Sequence, residues 1–318
     1  MSPPLASSMC SDIKVINSTQ SAAWAVISLT STNRGVAMKS TNGGKSWTSQ
    51  PLPIKGPSGI TVISANIAYA CGSGVAKTID GGNTWTLLSS LPLSAQADLQ
   101  MIASLDENNV FVVGYDVTDN NTINVMFKTT DGGETWTAIT VDIPEFKYKS
   151  WIDIHAIRSK TSGNAIGMVV GGRSTIAVSF DADKDNRWRF FSGNNGLNDI
   201  NGVVVIGDAT HASPATSIIA LDYYIVEKTM FNLTKIDLQN LSNVNCGMMT
   251  LGITSVIDDN GGVHLWATST GYPTNSACIA YSNDQGNAWI YQNQTENIIG
   301  SIRRISMVND LRRPFAML

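Results

Sequence analysis

The chain has 318 residues, of which 43% are hydrophobic and only 14% charged, with a net charge of −4 and a pI near 5.3. Sparse, slightly acidic charge excludes a phosphate-tracking nucleic-acid binder, which needs a basic face. The apolar fraction excludes a disordered chain, and no apolar run reaches the roughly 18 residues of a membrane span.

An N-terminal arm, 1–11, carries Pro3 and Pro4, which limit a β-ladder there. Asp12 opens a first inner strand, DIKVI. AAWAVIS and RGVAMKS read as two more strands, and the box KSTNGGKSW (Lys39–Trp47) leads into a fourth, WTSQ. The cycle restarts at Gly59 (GITVI) and runs through IAYACGS and SGVAKTI to KTIDGGNTW (Lys77–Trp85). It restarts at Asp98 (DLQMI) and ends on KTTDGGETW (Lys128–Trp136). The copy from Asp153 (DIHAI) carries a decayed box, SFDADKDNRW (Ser179–Trp188). The copy from Asp199 (DINGV) has EKTMFNLTKIDL (Glu227–Leu238) where its box belongs. Gly252 (GITSV) begins a unit with VHLWATS and the box YSNDQGNAW (Tyr281–Trp289), and Ser301 (SIRRI) begins the last.

Four strands recurring every 40 to 50 residues or so are the signature of a β-propeller, whose units bury their faces only against one another. The expected fold is all-β: one propeller over 12–318 with blades starting near 12, 59, 98, 153, 199, 252 and 301. That gives seven four-stranded blades with the last incomplete, six being the alternative. The final unit stops at Leu318, within its second strand. A longer chain, closure by the N-terminal arm, or a strand added by another molecule would each complete it.

The boxes follow S/T-x-D-x-G-x-T/S-W, with Asp80, Asp131 and Asp284 at the acidic position and Asn42 in the first copy. Such a side chain accepts hydrogen bonds from its own turn. Gly44, Gly82, Gly133 and Gly286 permit a positive φ, and Trp47, Trp85, Trp136 and Trp289 supply apolar surface. The pattern resembles the Asp-box, or bacterial neuraminidase repeat. The cadence of CGSGVAKTIDGGNTW is most similar to sortilin-type receptors and photosystem II assembly-factor propellers. The resemblance implies a propeller whose boxes lie on rim hairpins, with a structural role away from any active site. Sialidases and xyloglucanase-type glucanases carry the box too, so it implies fold rather than function.

The four cysteines, Cys10, Cys71, Cys246 and Cys278, form no CxxC pair, and the three histidines form no HExxH. No metal or cofactor is expected. Closeness in sequence favours disulfides Cys10–Cys71 and Cys246–Cys278 among three possible pairings, buried free thiols being the alternative. Glycosylation sequons stand at Asn17, Asn120, Asn232, Asn240 and Asn293. With the low charge and paired cysteines, they point to a secreted or cell-surface glycoprotein, although no basic-then-apolar leader stands at the N-terminus.

Three function classes compete. A sialidase needs an arginine cluster, but the family's Arg-Ile-Pro motif is absent. Four of the nine arginines crowd the C-terminus (Arg303, Arg304, Arg312, Arg313). A glucanase needs paired carboxylates, and Asp12, Asp98, Asp153 and Asp199 each start an inner strand, where they would ring one channel mouth. The bland reading is that each caps a turn in solvent. A binding module could use Trp151, Tyr223, Tyr224 or Tyr272 to stack on sugars, if these are not core. The reading adopted is a non-catalytic extracellular module that binds or scaffolds protein or glycan, with self-association through the unfinished blade possible. A glycoside hydrolase using the four aspartates is the alternative.

Overall fold

Short β-branched and aromatic runs separated by Gly, Asn and Ser form antiparallel hairpins in a computed structural model of the chain. The structure describes residues 8–16, 22–94, 96–118, 121–139, 151–158, 165–171, 175–179, 188–192, 200–206, 217–222, 225–230, 232–237, 250–258, 262–269, 278–284, 288–291, 304–307 and 315–317. Two compact units, Met1–Ile139 and Thr140–Leu318, divide the chain.

The first unit holds three four-stranded sheets in sequence order. Sheet 1 is β1 (Ser8–Ile16), β2 (Ala22–Leu29), β3 (Arg34–Ser40) and β4 (Thr48–Lys55). Sheet 2 is β5 (Gly59–Val62), β6 (Ala68–Cys71), β7 (Val75–Thr78) and β8 (Thr86–Leu88). Sheet 3 is β9 (Asp98–Ser104), β10 (Val110–Thr118), β11 (Asn121–Thr129) and β12 (Thr137–Ala138). β1 starts at Ser8, inside the stretch expected to be an arm.

The second unit repeats the plan. Sheet 4 is β13 (Trp151–Arg158), β14 (Ala165–Gly171), β15 (Thr175–Ser179) and β16 (Trp188–Ser192). Sheet 5 is β17 (Ile200–Ile206), β18 (Ser217–Asp222), β19 (Ile225–Met230) and β20 (Asn232–Asp237). Sheet 6 is β21 (Thr250–Ile257), β22 (Val263–Ser269), β23 (Ile279–Ser282) and β24 (Ile290–Tyr291). β25 (Arg304–Ser306) and β26 (Phe315–Met317) pair alone among the described residues. In sheet 5 the register of β19 with β20 runs up to Met230 paired with Asn232.

The core lies between successive sheets of each unit. Trp24, Val26 and Leu52 of sheet 1 pack with Ile60, Ala68 and Ala76 of sheet 2. Tyr69 and Val75 of sheet 2 pack with Leu99, Val112 and Phe127 of sheet 3. In the second unit Trp266 and Ile279 pack with Ile305 and Met307. β2 is buried at all but its last residue because both its faces are covered. β4 is mostly exposed and carries Pro51 and Pro53, which cannot donate to a further strand. The other described outer strands next to a box, β8, β12 and β24, have two or three residues each.

The box glycines join one sheet to the previous one. Gly82 (φ +84°) lies so close to Trp24 that a Cβ would stand 2.6 Å from Cζ3 of its ring. A Cβ on Gly133 (φ +95°) would stand 2.5 Å from Cδ1 of Leu88. Gly82→Ala combines backbone strain with overpacking, and is expected to lower unfolding stability by about 2–4 kcal/mol. Urea denaturation measures this, and Asn83→Ala on the exposed loop serves as the near-neutral comparison.

Candidate functional site

A β-bulge recurs where the first strand of a sheet pairs with the second. The extra residue is Ser11 in β1, Ile152 in β13, Asn201 in β17 and Leu251 in β21. Asp12, Asp153, Gly202 and Gly252 follow it directly. In β9 the extra residue is Gln100, which puts Met101 at this place and Asp98 three residues earlier. The repeat read from the sequence is therefore out of register at Asp98. The same holds at Asp199, whose unit aligns on Gly202, and Asp199 itself lies outside the described residues.

The bulge carboxylates are neither a turn cap in solvent nor an open pair. Asp12 is 1% exposed. Its Oδ1 accepts from Ile13 N at 2.9 Å and its Oδ2 from Ile60 N, in the first strand of the next sheet, at 3.0 Å. Lys14 Nζ lies 3.8 Å from Oδ1. Asp153 repeats the arrangement, accepting from Ile154 N at 3.0 Å and Val203 N at 3.1 Å. Each carboxylate thus ties two first strands together through main-chain amides. Asp98 is half-buried and accepts from the Tyr115 hydroxyl at 2.9 Å. Burial and that hydrogen bond push the Tyr115 phenol up.

The boxes share one hydrogen-bond scheme. Ser40, Thr78, Thr129 and Ser282 donate their hydroxyls to Oδ1 of Asn42, Asp80, Asp131 and Asp284. The same oxygens accept from Ser46 N, Thr84 N, Thr135 N and Ala288 N, each at 2.9 Å. Gly44 N, Gly82 N and Gly133 N close the turn on the leading hydroxyl. Gly286 lies outside the described residues. Trp47 donates its indole N–H to Gly44 O, and Trp289 is buried. Trp85 stands edge-on to Trp24, with ring centroids 6.1 Å apart, and Trp136 packs against the core of sheets 2 and 3.

The lysine that leads a box has a role the motif did not suggest. Lys39 Nζ donates to Gly81 O (3.0 Å) and Ala65 O (2.9 Å) of the next sheet, and stands 4.5 Å from the Trp24 ring centroid. Lys77 Nζ likewise donates to Gly132 O at 2.8 Å while lying over Tyr69. The cross-strand pairs Trp24–Lys39, Tyr69–Lys77 and Phe111–Lys128 are the legible trace of this. In sheet 6 the pair is Trp266–Tyr281. There Tyr281 Oη lies 2.6 Å from His264 Nδ1, and His264 Nε2 lies 3.0 Å from Asp258 Oδ2. His264 stacks on both Tyr281 and Trp266.

The remaining sequence candidates are placed as follows. Cys10 and Cys71 are free thiols, which corrects the expected Cys10–Cys71 bridge. Cys10 Sγ lies 3.3 Å from Val26 O, while Cys71 is fully buried beside Ser58. Burial pushes both thiols up to about 12. Cys278 is disulfide-bonded, and Cys246, the partner expected for it, lies outside the described residues. Asn17, Asn120, Asn240 and Asn293, Tyr223, Tyr224 and Tyr272, and Arg303, Arg312 and Arg313 lie outside them too. Asn232 begins β20 and Trp151 begins β13. Among the described residues, no three His, Cys, Asp or Glu side chains gather as a metal site, and no helix is long and apolar enough to cross a membrane.

No family model matches the chain, and no curated protein does. Solved structures do. "YCF48 bound to D1 peptide" aligns over 98% of this chain and 90% of its own, with a TM-score of 0.64 and 14% identity. "Structure of U3-55K" aligns over 98% and 91%, with a TM-score of 0.66 and 8% identity. A GH74 xyloglucanase from Xanthomonas campestris aligns over 89% of this chain and 38% of its own, with a TM-score of 0.40 and 11% identity. The likeness bears on fold: the chain is all-β, with four-stranded antiparallel sheets and propeller-like neighbours.

Two outcomes follow from this geometry. Asp12→Ala strands two buried amides and should cost about 2–4 kcal/mol in urea unfolding, whereas Asp12→Asn, which retains one acceptor, should cost less. Hydrogen bonds from Thr84 hold the Asp80 carboxyl down at about 2 from an ordinary 3.8, and those from Thr135 hold Asp131 lower still. Their stabilisation is complete above the ordinary value and is lost as pH falls through the depressed one. The urea midpoint should therefore drop between pH 4 and pH 2 (the window set by 3.8 and about 2). That drop should be shallower in an Asp80→Asn, Asp131→Asn double variant, because Asn42 already forms a working box.

Proposed function

We propose that the chain is a non-catalytic binding module that recognises a protein segment. The carrying observation is how the bulge carboxylates are used. Asp12 and Asp153 each direct both oxygens to main-chain amides, so these two of the four carboxylates nominated for acid–base work belong to the framework. The fold likeness to a neighbour solved with a peptide bound supports protein over other ligands. We read the repeats as Asp-box units of a single propeller of seven blades. The five sequons and the sparse charge support a secreted or cell-surface setting. The free thiols at Cys10 and Cys71 remove part of the cysteine argument for it. Mass of native material before and after enzymatic glycan removal tests that setting, and no shift would refute it.

The functional test screens the native full chain against a random peptide library and a glycan array, alongside hydrolysis of aryl glycosides. Saturable peptide binding with a Kd of about 1 μM or tighter, unaffected by Asp98→Asn, is the expected result. Glycoside turnover that disappears in Asp98→Asn would overturn the reading. Binding confined to glycans would leave a module but move its ligand class.

A further inference from the structure

Four Asn-Gly pairs occur in the chain: Asn42–Gly43, Asn195–Gly196, Asn201–Gly202 and Asn260–Gly261. Only the first lies in a box, at the position where the other three boxes have Asp80, Asp131 and Asp284. Asn42 and Gly43 are both exposed, and Gly43 holds a left-handed φ of 69° with no Cβ to obstruct its nitrogen. We propose that Asn42 is a deamidation site of the folded protein, and that the aspartate it yields keeps the hydrogen bonds of the box.

The chemistry is an intramolecular acyl transfer. The Gly43 main-chain nitrogen gives up its proton to solvent base and attacks Asn42 Cγ. The Cγ–Nδ2 bond breaks, ammonia leaves, and a succinimide ring joins Cγ to the Gly43 nitrogen. Water then opens the ring, at Cγ to give aspartate or at the main-chain carbonyl to give isoaspartate. Water is the only co-reactant and nothing is oxidised. The box favours the first step because Asn42 Oδ1 accepts from Ser40 Oγ at 3.0 Å and from Ser46 N at 2.9 Å. Both donors draw charge from Cγ and stabilise the oxygen as attack proceeds.

The aspartate product fits without rearrangement of the main chain. Asn42 Nδ2 donates to Ser46 Oγ at 2.8 Å. In the second box the same contact runs in reverse, Thr84 Oγ1 donating to Asp80 Oδ2 at 2.6 Å. Turning one hydroxyl therefore converts the first arrangement into the second. Isoaspartate would lengthen the main chain by a methylene between Ser40 and Ser46 and pull the carboxylate off its donors. Asn201–Gly202 is the internal comparison, since its backbone is held in β17, with Asn201 the bulged residue.

The test ages the native full chain in mildly alkaline buffer and maps peptides by mass, with separate quantification of isoaspartate. The peptide containing Asn42 should gain about 1 Da, roughly tenfold faster than the one containing Asn201, the scale on which reacting groups respond to positioning. The two rates should converge in urea, aspartate should dominate at position 42, and Asn42→Asp should keep the thermal midpoint. Equal rates in the native chain would overturn the proposal. So would an unchanged Asn42 peptide when the urea-unfolded chain reacts there, a predominance of isoaspartate, or a fall in the midpoint of Asn42→Asp.

Discussion

A four-stranded sheet whose second strand is buried on both faces cannot stand alone. Within each unit a sheet depends on a seam with the next, and among the described residues no strand pairing runs across that seam. Side chains such as Trp24 and Tyr69 fill the gap, yet apolar contact is non-directional and leaves sliding unopposed. Direction comes from polar side chains that reach main-chain groups of the adjacent sheet. Asp12 reaches the amide of Ile60, Asp153 that of Val203, Lys39 the carbonyl of Gly81, and Lys77 that of Gly132.

These links use opposite charges for opposite partners: carboxylates meet N–H groups at the first strands, and ammonium groups meet carbonyls at the boxes. A buried carboxylate is costly unless its oxygens are satisfied, and main-chain amides meet that condition at both oxygens of Asp12 and of Asp153. The carboxylates are not needed at every seam. Gly202, Gly252 and Met101 follow the bulge elsewhere, and β5 pairs with β6 without one, so the acid varies more freely than the bulge. The boxes show the same tolerance, since Asn42 and Asp80 serve one loop geometry.

Strand order and box placement were legible because alternation, glycine and tryptophan spacing are local properties. The inner-strand register was only partly so. DLQMI and DINGV satisfy the same pattern as DIKVI, but three residues early, and a bulge leaves no mark in hydrophobic periodicity that would distinguish the two alignments. Cys10 and Cys71 were paired on closeness in sequence, which says nothing about where sulfur atoms point. One lies beside Val26 O and the other beside Ser58. The lysines of KST and KTI, and the row Asp258–His264–Tyr281, went unread because their partners belong to other strands or other sheets.

The outer strands have a further consequence. β4 carries two prolines, while β8, β12 and β24 are two or three residues long. These four margins offer almost no main-chain ladder for a visiting strand to copy, whereas β16 and β20 run for five and six residues. A partner meeting these sheets from the side must be recognised through side-chain shape and polarity. The same four margins discourage strand-to-strand growth between crowded copies of the chain.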